Sequence, residues 1–153
     1  MARAVRPKPG DLYDEDFYVW TEVQAGLLRE RRFEALDLDN LVEEVEGLGR
    51  AEKSRVLNNA SVIIEHLLKL QHSPATEPRA GWIDSILEHR RRLEFDRTPR
   101  LSNILADELP RVYEITRRIA ERRLRTYGEQ AAADALPAPC PYTLDQITGD
   151  WWP

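Results

Sequence analysis

Residues 36–72, LDLDNLVEEVEGLGRAEKSRVLNNASVIIEHLLKLQH, constrain the fold more than any other part of the chain. Apolar side chains recur there at intervals that follow one face of a helix, and the spacing does not fit a strand. They are Leu38, Leu41, Val45, Leu48, Val56, Ala60, Ile63, Leu67 and Leu70. The pattern predicts one long helix whose apolar face is turned inward.

The ends of this helix are also marked in the sequence. Asp37 has the side chain of a helix N-cap, since its carboxylate can accept from the first free amide groups. Pro74 follows the last apolar residue, and a proline cannot continue a helix. Gly47 and Gly49 weaken the middle by about 1 kcal/mol each relative to alanine.

Similar patterns predict three further principal helices, over residues 14–31, 81–97 and 98–127. The last of these is predicted to begin with Thr98 as its cap and Pro99 in its first turn. Residues 1–12, which contain Pro7 and Pro9, are predicted to be a flexible leader, and residues 13–153 a single helical domain. Thr143 and Gln146 have the spacing of a capping box, which favours a short helix near the end. We therefore predict an all-α fold, a bundle of four principal helices with one long central helix and a C-terminal tail packing back on the bundle.

Composition limits the class of protein. Hydrophobic residues make up 42% of the 153 and charged residues 32%, which is ordinary for a globular domain. No apolar run approaches the roughly 20 residues that a membrane-spanning helix needs. A single cysteine, Cys140, excludes an internal disulfide and a cysteine-based zinc site. The sequence favours a cytoplasmic protein with no membrane contact.

Charge is unevenly distributed. Residues 89–126 contain eleven arginines against six acids, whereas the rest of the chain has eleven Lys or Arg against twenty-one Asp or Glu. Such asymmetry can mark an anion-binding face. The interpretation that we favour is an acidic half of the domain packing against a basic half.

Two charged residues interrupt apolar stripes. Glu52 falls in the stripe of the long helix, and Arg90 falls in the stripe of the helix predicted over residues 81–97. A buried charge needs a partner, so Arg90 is predicted to turn inward and pair with Glu52 first or Glu44 second. The alternative is that both lie at the edge of a stripe and reach water separately. His66 borders the inward face as well.

Motifs for chemistry are few. The sequence lacks phosphate-binding glycine motifs and HExxH, and no catalytic residue or cofactor is assigned. A metal would need Glu44, Glu52 or His66 together with His89, a spacing that is not diagnostic.

A nucleic-acid or other anion-binding face would use Arg118, Arg122 and Arg125. The hypothesis left is a protein-interaction module that binds a protein partner or itself. The binding candidates are Glu44, Glu52, His66, Arg90, Arg118, Arg122 and Arg125.

Several stretches resemble the bacterial "domain of unknown function 29" family. They are YDEDFYVW at 13–20, LDLDNLVEEVEGLGRAEK at 36–53, HLLKLQHSP at 66–74, the segment 82–90 and CPYTLDQITGDWWP at 140–153. The resemblance covers nearly all of the chain from residue 13. It implies an all-helical domain with no established activity and offers no site residues to carry over.

Overall fold

The computed structural model describes residues 11–153 and shows α-helices and no strand in that part of the chain. The helices are α1 (Asp11–Glu15), α2 (Phe17–Arg29), α3 (Leu38–His72), α4 (Arg79–Asp96), α5 (Pro99–Thr126), α6 (Gln130–Asp134) and α7 (Leu144–Thr148), with a 3-10 turn at Phe33–Ala35. The all-α prediction and the long central helix are confirmed.

The chain forms two compact units that divide within α3, between Arg50 and Ala51. The leader predicted over residues 1–12 falls outside the described residues as far as residue 10, while residues 11 and 12 already belong to α1. The single domain expected over residues 13–153 stays a prediction.

In the N-terminal unit, the helix predicted over residues 14–31 is divided in two. Asp16 has a non-helical backbone (φ −151°, ψ 86°) and accepts from the Val19 amide at 3.1 Å, so that it ends α1 and caps α2. The Tyr13 ring lies edge-on to the rings of Phe17 and Trp20, with centroids 5.7 and 5.0 Å away. These rings hold α1 against α2.

Asp37 joins α2 to the start of α3. Its carboxylate accepts from Trp20 Nε1 at 3.0 Å and from Asn40 Nδ2 at 2.8 Å. Its own amide donates to Gln24 Oε1 at 3.0 Å. Buried polar groups need such partners, and here one aspartate supplies them to two buried side chains of α2.

The core of the second unit forms around the C-terminal half of α3. Its fully buried side chains include Ile63, Ile64, Leu67 and Leu68 of α3, Ile86 and Leu93 of α4, and Leu105 and Tyr113 of α5. Thr98 caps α5 and Pro99 occupies its first turn, as predicted. Helix α5 then continues through Pro110.

The tail packs on this core, which confirms that part of the fold prediction. Thr143 and Gln146 form both hydrogen bonds of a capping box at the start of α7. Tyr142 and Ile147 are buried, and Trp151 and Cys140 pack at the margin. The tail therefore contributes apolar surface to the core.

Candidate functional site

Arg90 is buried beneath the tail, with 7% of its surface exposed. Its Nε donates to the Ile147 carbonyl at 3.0 Å, and its Nη2 donates to the carbonyls of Gln146 at 2.8 Å and Trp151 at 2.7 Å. The Trp152 ring centroid lies 4.9 Å from the guanidinium carbon, within cation–π range. One side chain of α4 thus holds both α7 and the residues that follow α7 in place.

The inward turn of Arg90 is confirmed, but the predicted pairing with Glu52 or Glu44 is wrong. Glu52 accepts from Arg55 Nη2 at 2.7 Å with about half of its side chain exposed. Glu44 accepts from the Tyr13 hydroxyl at 2.6 Å. The planar guanidinium presents several donors in a fixed fork. Its Nε and Nη2 donate to backbone carbonyls of the tail, while the buried Nη1 has no hydrogen-bond partner among the described residues.

A buried ion pair of the described residues lies elsewhere, at positions that the sequence prediction missed. Glu65 and Lys69 are 6% and 8% exposed, and Lys69 Nζ donates to Glu65 Oε1 at 2.5 Å. Arg123 Nη1 of α5 donates to both oxygens of Glu65, at 2.6 and 2.7 Å. A Glu and a Lys four residues apart, set among Ile63, Ile64, Leu67 and Leu68, is the signal that could have found them.

An apolar face on the N-terminal half of α3 is exposed to solvent. We call it the α3 apolar face: Leu38, Val42, Val45 and Leu48, which are 59%, 56%, 66% and 69% exposed. The prediction that Leu38, Val45 and Leu48 turn inward is therefore wrong, while Leu41 is half-buried. The period identifies an apolar face but contains no information about what covers it.

The unit that carries this face is strongly acidic. Residues 11–50 contain twelve Asp or Glu and four Arg, whereas residues 51–153 contain fifteen of each sign. Asp39, Glu43 and Glu46 are exposed on the same helix as the face. Among the described side chains of this unit, Arg50 pairs with Glu46 at 3.4 Å and Arg32 with Glu30 at 3.5 Å. Most of the negative charge is thus left to solvent.

A family model described as Domain of unknown function DUF29 matches residues 12–152. The chain belongs to this family. The match confirms the resemblance seen in the sequence motifs. The DUF29 chain has no significant match among curated proteins, and none among solved structures. No helix in residues 11–153 is both long and apolar enough to cross a bilayer.

Two histidines of the DUF29 chain, His66 of α3 and His89 of α4, are half-buried. His89 Nδ1 lies 2.7 Å from Asn59 Oδ1, and His66 Nδ1 is buried without a hydrogen-bond partner. Burial lowers the pKa of both imidazoles. Within residues 11–153, no group of three or more His, Cys, Asp or Glu side chains is arranged to hold a metal ion.

His66 leads to a prediction about pH. Because its folded-state pKa lies below the ordinary 6.5, the unfolded chain binds the proton more readily, and stability is lost as pH falls below 6.5. Replacing His66 with leucine should reduce this loss, which denaturant midpoints across the acid range would show. Titration of the wild-type His66 ring by NMR at or above its ordinary pKa would contradict the prediction.

The arginines proposed for anion binding share one surface of α5. Arg118, Arg122 and Arg125 line a shallow depression there. Arg118 pairs with Glu114, and Arg125 Nη2 pairs with Glu121 at 3.0 Å. Arg125 also reaches Asp134 at 2.6 Å. Acids one turn away thus offset part of the positive charge of this face.

Proposed function

We propose that this DUF29 protein is a cytoplasmic protein-interaction module without catalytic activity, which binds its partner through the α3 apolar face. The observation that supports it is the exposure of four apolar side chains in a row on one helix. Burying apolar surface contributes about 25 cal/mol per Å². A contiguous exposed apolar patch rimmed by polar residues is typical of a protein-binding site.

The spacing of the face suits a known mode of recognition. Leu38, Val42, Val45 and Leu48 follow at intervals of four, three and three residues, so they form one stripe on α3. Helix-in-groove and helix-on-helix contacts use anchors at this spacing.

Changing Val45 and Leu48 together to glutamine tests the proposal. Glutamine keeps a good helix propensity, and substitutions at exposed positions usually change stability by less than about 0.5 kcal/mol. Loss of two buried apolar contacts should weaken partner binding at least about tenfold. The measurement is recovery of a partner from the native cell, followed by its purification and titration against both proteins.

Phe95→Gln is the matched control. Phe95 is the most exposed apolar side chain of α4, at 78%, and lies in the second unit. It should bind the purified partner like wild type. A partner that binds the Val45→Gln/Leu48→Gln protein as tightly as wild type would refute the proposed surface. A protein that stays monomeric in light scattering and binds no purified partner would refute the proposed function.

A further inference from the structure

We propose that the partner segment on the α3 apolar face is a basic amphipathic helix of another protein. This inference rests on the proposed function and adds the chemistry of the partner. It follows from three features of the N-terminal unit: the apolar stripe, the acids around it and the shape of the helix that presents it.

The negative charge of the N-terminal unit favours a positively charged partner. Residues 37–50 contain five acids and one arginine, and residues 11–50 have a net charge of −8. Asp39 and Glu43 are exposed on the same helix as the stripe and have no salt-bridge partner among the described side chains. Complementary charge steers encounter and disfavours wrong partners. A partner with lysines or arginines beside its apolar residues therefore satisfies both the stripe and its rim.

The same charge disfavours a second copy of this chain. Pairing two α3 apolar faces would bring two segments with five acids each into contact. An antiparallel arrangement places Arg50 near the acids at the start of the other helix, but the two segments together have ten acids against two arginines. Like charges that are brought together repel. An anionic membrane surface is disfavoured for the same reason.

The shape of the face selects a helix. The four side chains extend over eleven residues of helix, whose ten steps of 1.5 Å span about 15 Å. Gly49 follows in the same stripe, and an added Cβ there would meet nothing within 4 Å. Gly49 thus leaves the end of the face open, so that a second helix of about three turns can lie along it.

Three synthetic peptides and the full chain test the inference. The first is an 18-residue peptide, about 27 Å long as a helix and so longer than the stripe, with leucines on one face and lysines elsewhere. The second has glutamates in place of the lysines, and the third has the first peptide's composition in scrambled order. Fluorescence anisotropy should show the first peptide binding at least about tenfold more tightly than either other peptide, and more weakly as salt rises.

Protein variants then locate the contact. Val45→Gln/Leu48→Gln should weaken binding of the first peptide at least about tenfold. Asp39→Asn/Glu43→Gln should weaken binding and reduce its dependence on salt. Glu77→Gln/Asp84→Asn removes two exposed acids of the second unit and should behave like wild type.

Each remaining outcome decides against the inference. Equal affinity for the lysine and glutamate peptides would show that charge does not select the partner. Binding of the lysine peptide that survives Val45→Gln/Leu48→Gln would show attraction without docking on the face. Wild-type dimers that this variant dissociates would identify a second copy as the occupant. If the occupant is a second copy, the proposed function stands and the basic helix is ruled out. The same holds if Val45→Gln/Leu48→Gln loses a natural partner while none of the peptides binds the wild-type protein.

Discussion

Replacing Glu65 with alanine is expected to lower the free energy of unfolding by about 3–5 kcal/mol, because it leaves the buried Lys69 ammonium without its carboxylate. Lys69 is 8% exposed, and its Nζ donates to Glu65 at 2.5 Å. The substitution also removes the acceptor for Arg123, whose side chain is half-exposed and can turn to water. Urea denaturation followed by circular dichroism measures the change.

Removing both charges of this pair should be far less harmful. Glu65→Leu with Lys69→Met replaces two buried ions with apolar side chains of similar size, a change that is often neutral or stabilising. A double-mutant cycle therefore gives a large interaction energy if the pair is buried as described. Small, additive effects of the single substitutions would show that water still solvates both groups.

The Glu65–Lys69 pair also makes the free energy of unfolding depend on pH in the acid range. Burial raises the pKa of Glu65, but the hydrogen bonds and charges of Lys69 and Arg123 outweigh it and hold the pKa below the ordinary 4.5. The unfolded carboxylate therefore takes up a proton first as pH falls. The stabilisation is complete above pH 4.5 and is lost as pH falls through the folded-state pKa.

Replacing Arg90 with alanine is expected to lower the free energy of unfolding by about 3 kcal/mol, since hydrogen bonds from a charged donor contribute roughly 1.5–3 kcal/mol each and their losses are not additive. The carbonyls of Gln146, Ile147 and Trp151 would lose their donor. Removal of the stem also leaves space under the tail. Chemical denaturation gives the loss, and limited proteolysis reports whether the tail is released.

Two further variants test whether the fixed donor geometry of Arg90, and not only its positive charge, stabilises the tail. Arg90→Lys keeps the charge but cannot direct fixed donors at three carbonyls, so it should recover only part of the stability. Arg91→Ala removes an exposed neighbour that pairs with Glu88, and should cost less than about 1 kcal/mol. An Arg90→Ala protein as stable as the Arg91→Ala protein would show that the tail does not depend on this contact.

Local patterns predicted the helices well and their partners poorly. The length of α3, the Thr98 cap and the capping box at Thr143 each depend on residues a few positions apart, and all are present. The inward turn of Arg90 followed from the period of its helix. Its acceptors are backbone carbonyls more than fifty residues later in the chain. Every residue has such a carbonyl, so the sequence cannot single them out.

The α3 apolar face shows the same limit in another form. Leu38–Leu48 and Ile63–Leu70 have the same helical period, yet the first group is mostly exposed and the second mostly buried. Periodicity reports that a face is apolar, but burial depends on whether another element lies opposite. The acids Asp39, Glu43 and Glu46 were visible in the sequence. They point to a basic partner only because the apolar stripe on the same helix is exposed.

Arg90 also sets an order for events during translation. The chain is made from its N-terminus, and domains form as their residues emerge from the ribosome. Helix α4 emerges before the carbonyl acceptors of Arg90, which follow 56 to 61 residues later. Until those residues have been synthesised, the guanidinium keeps its hydration and the second unit lacks the contacts of the tail. A nascent chain that stalls before Gln146 lacks Ile147 and Trp151, so it leaves the apolar surface beneath them uncovered, the kind of surface that chaperones bind.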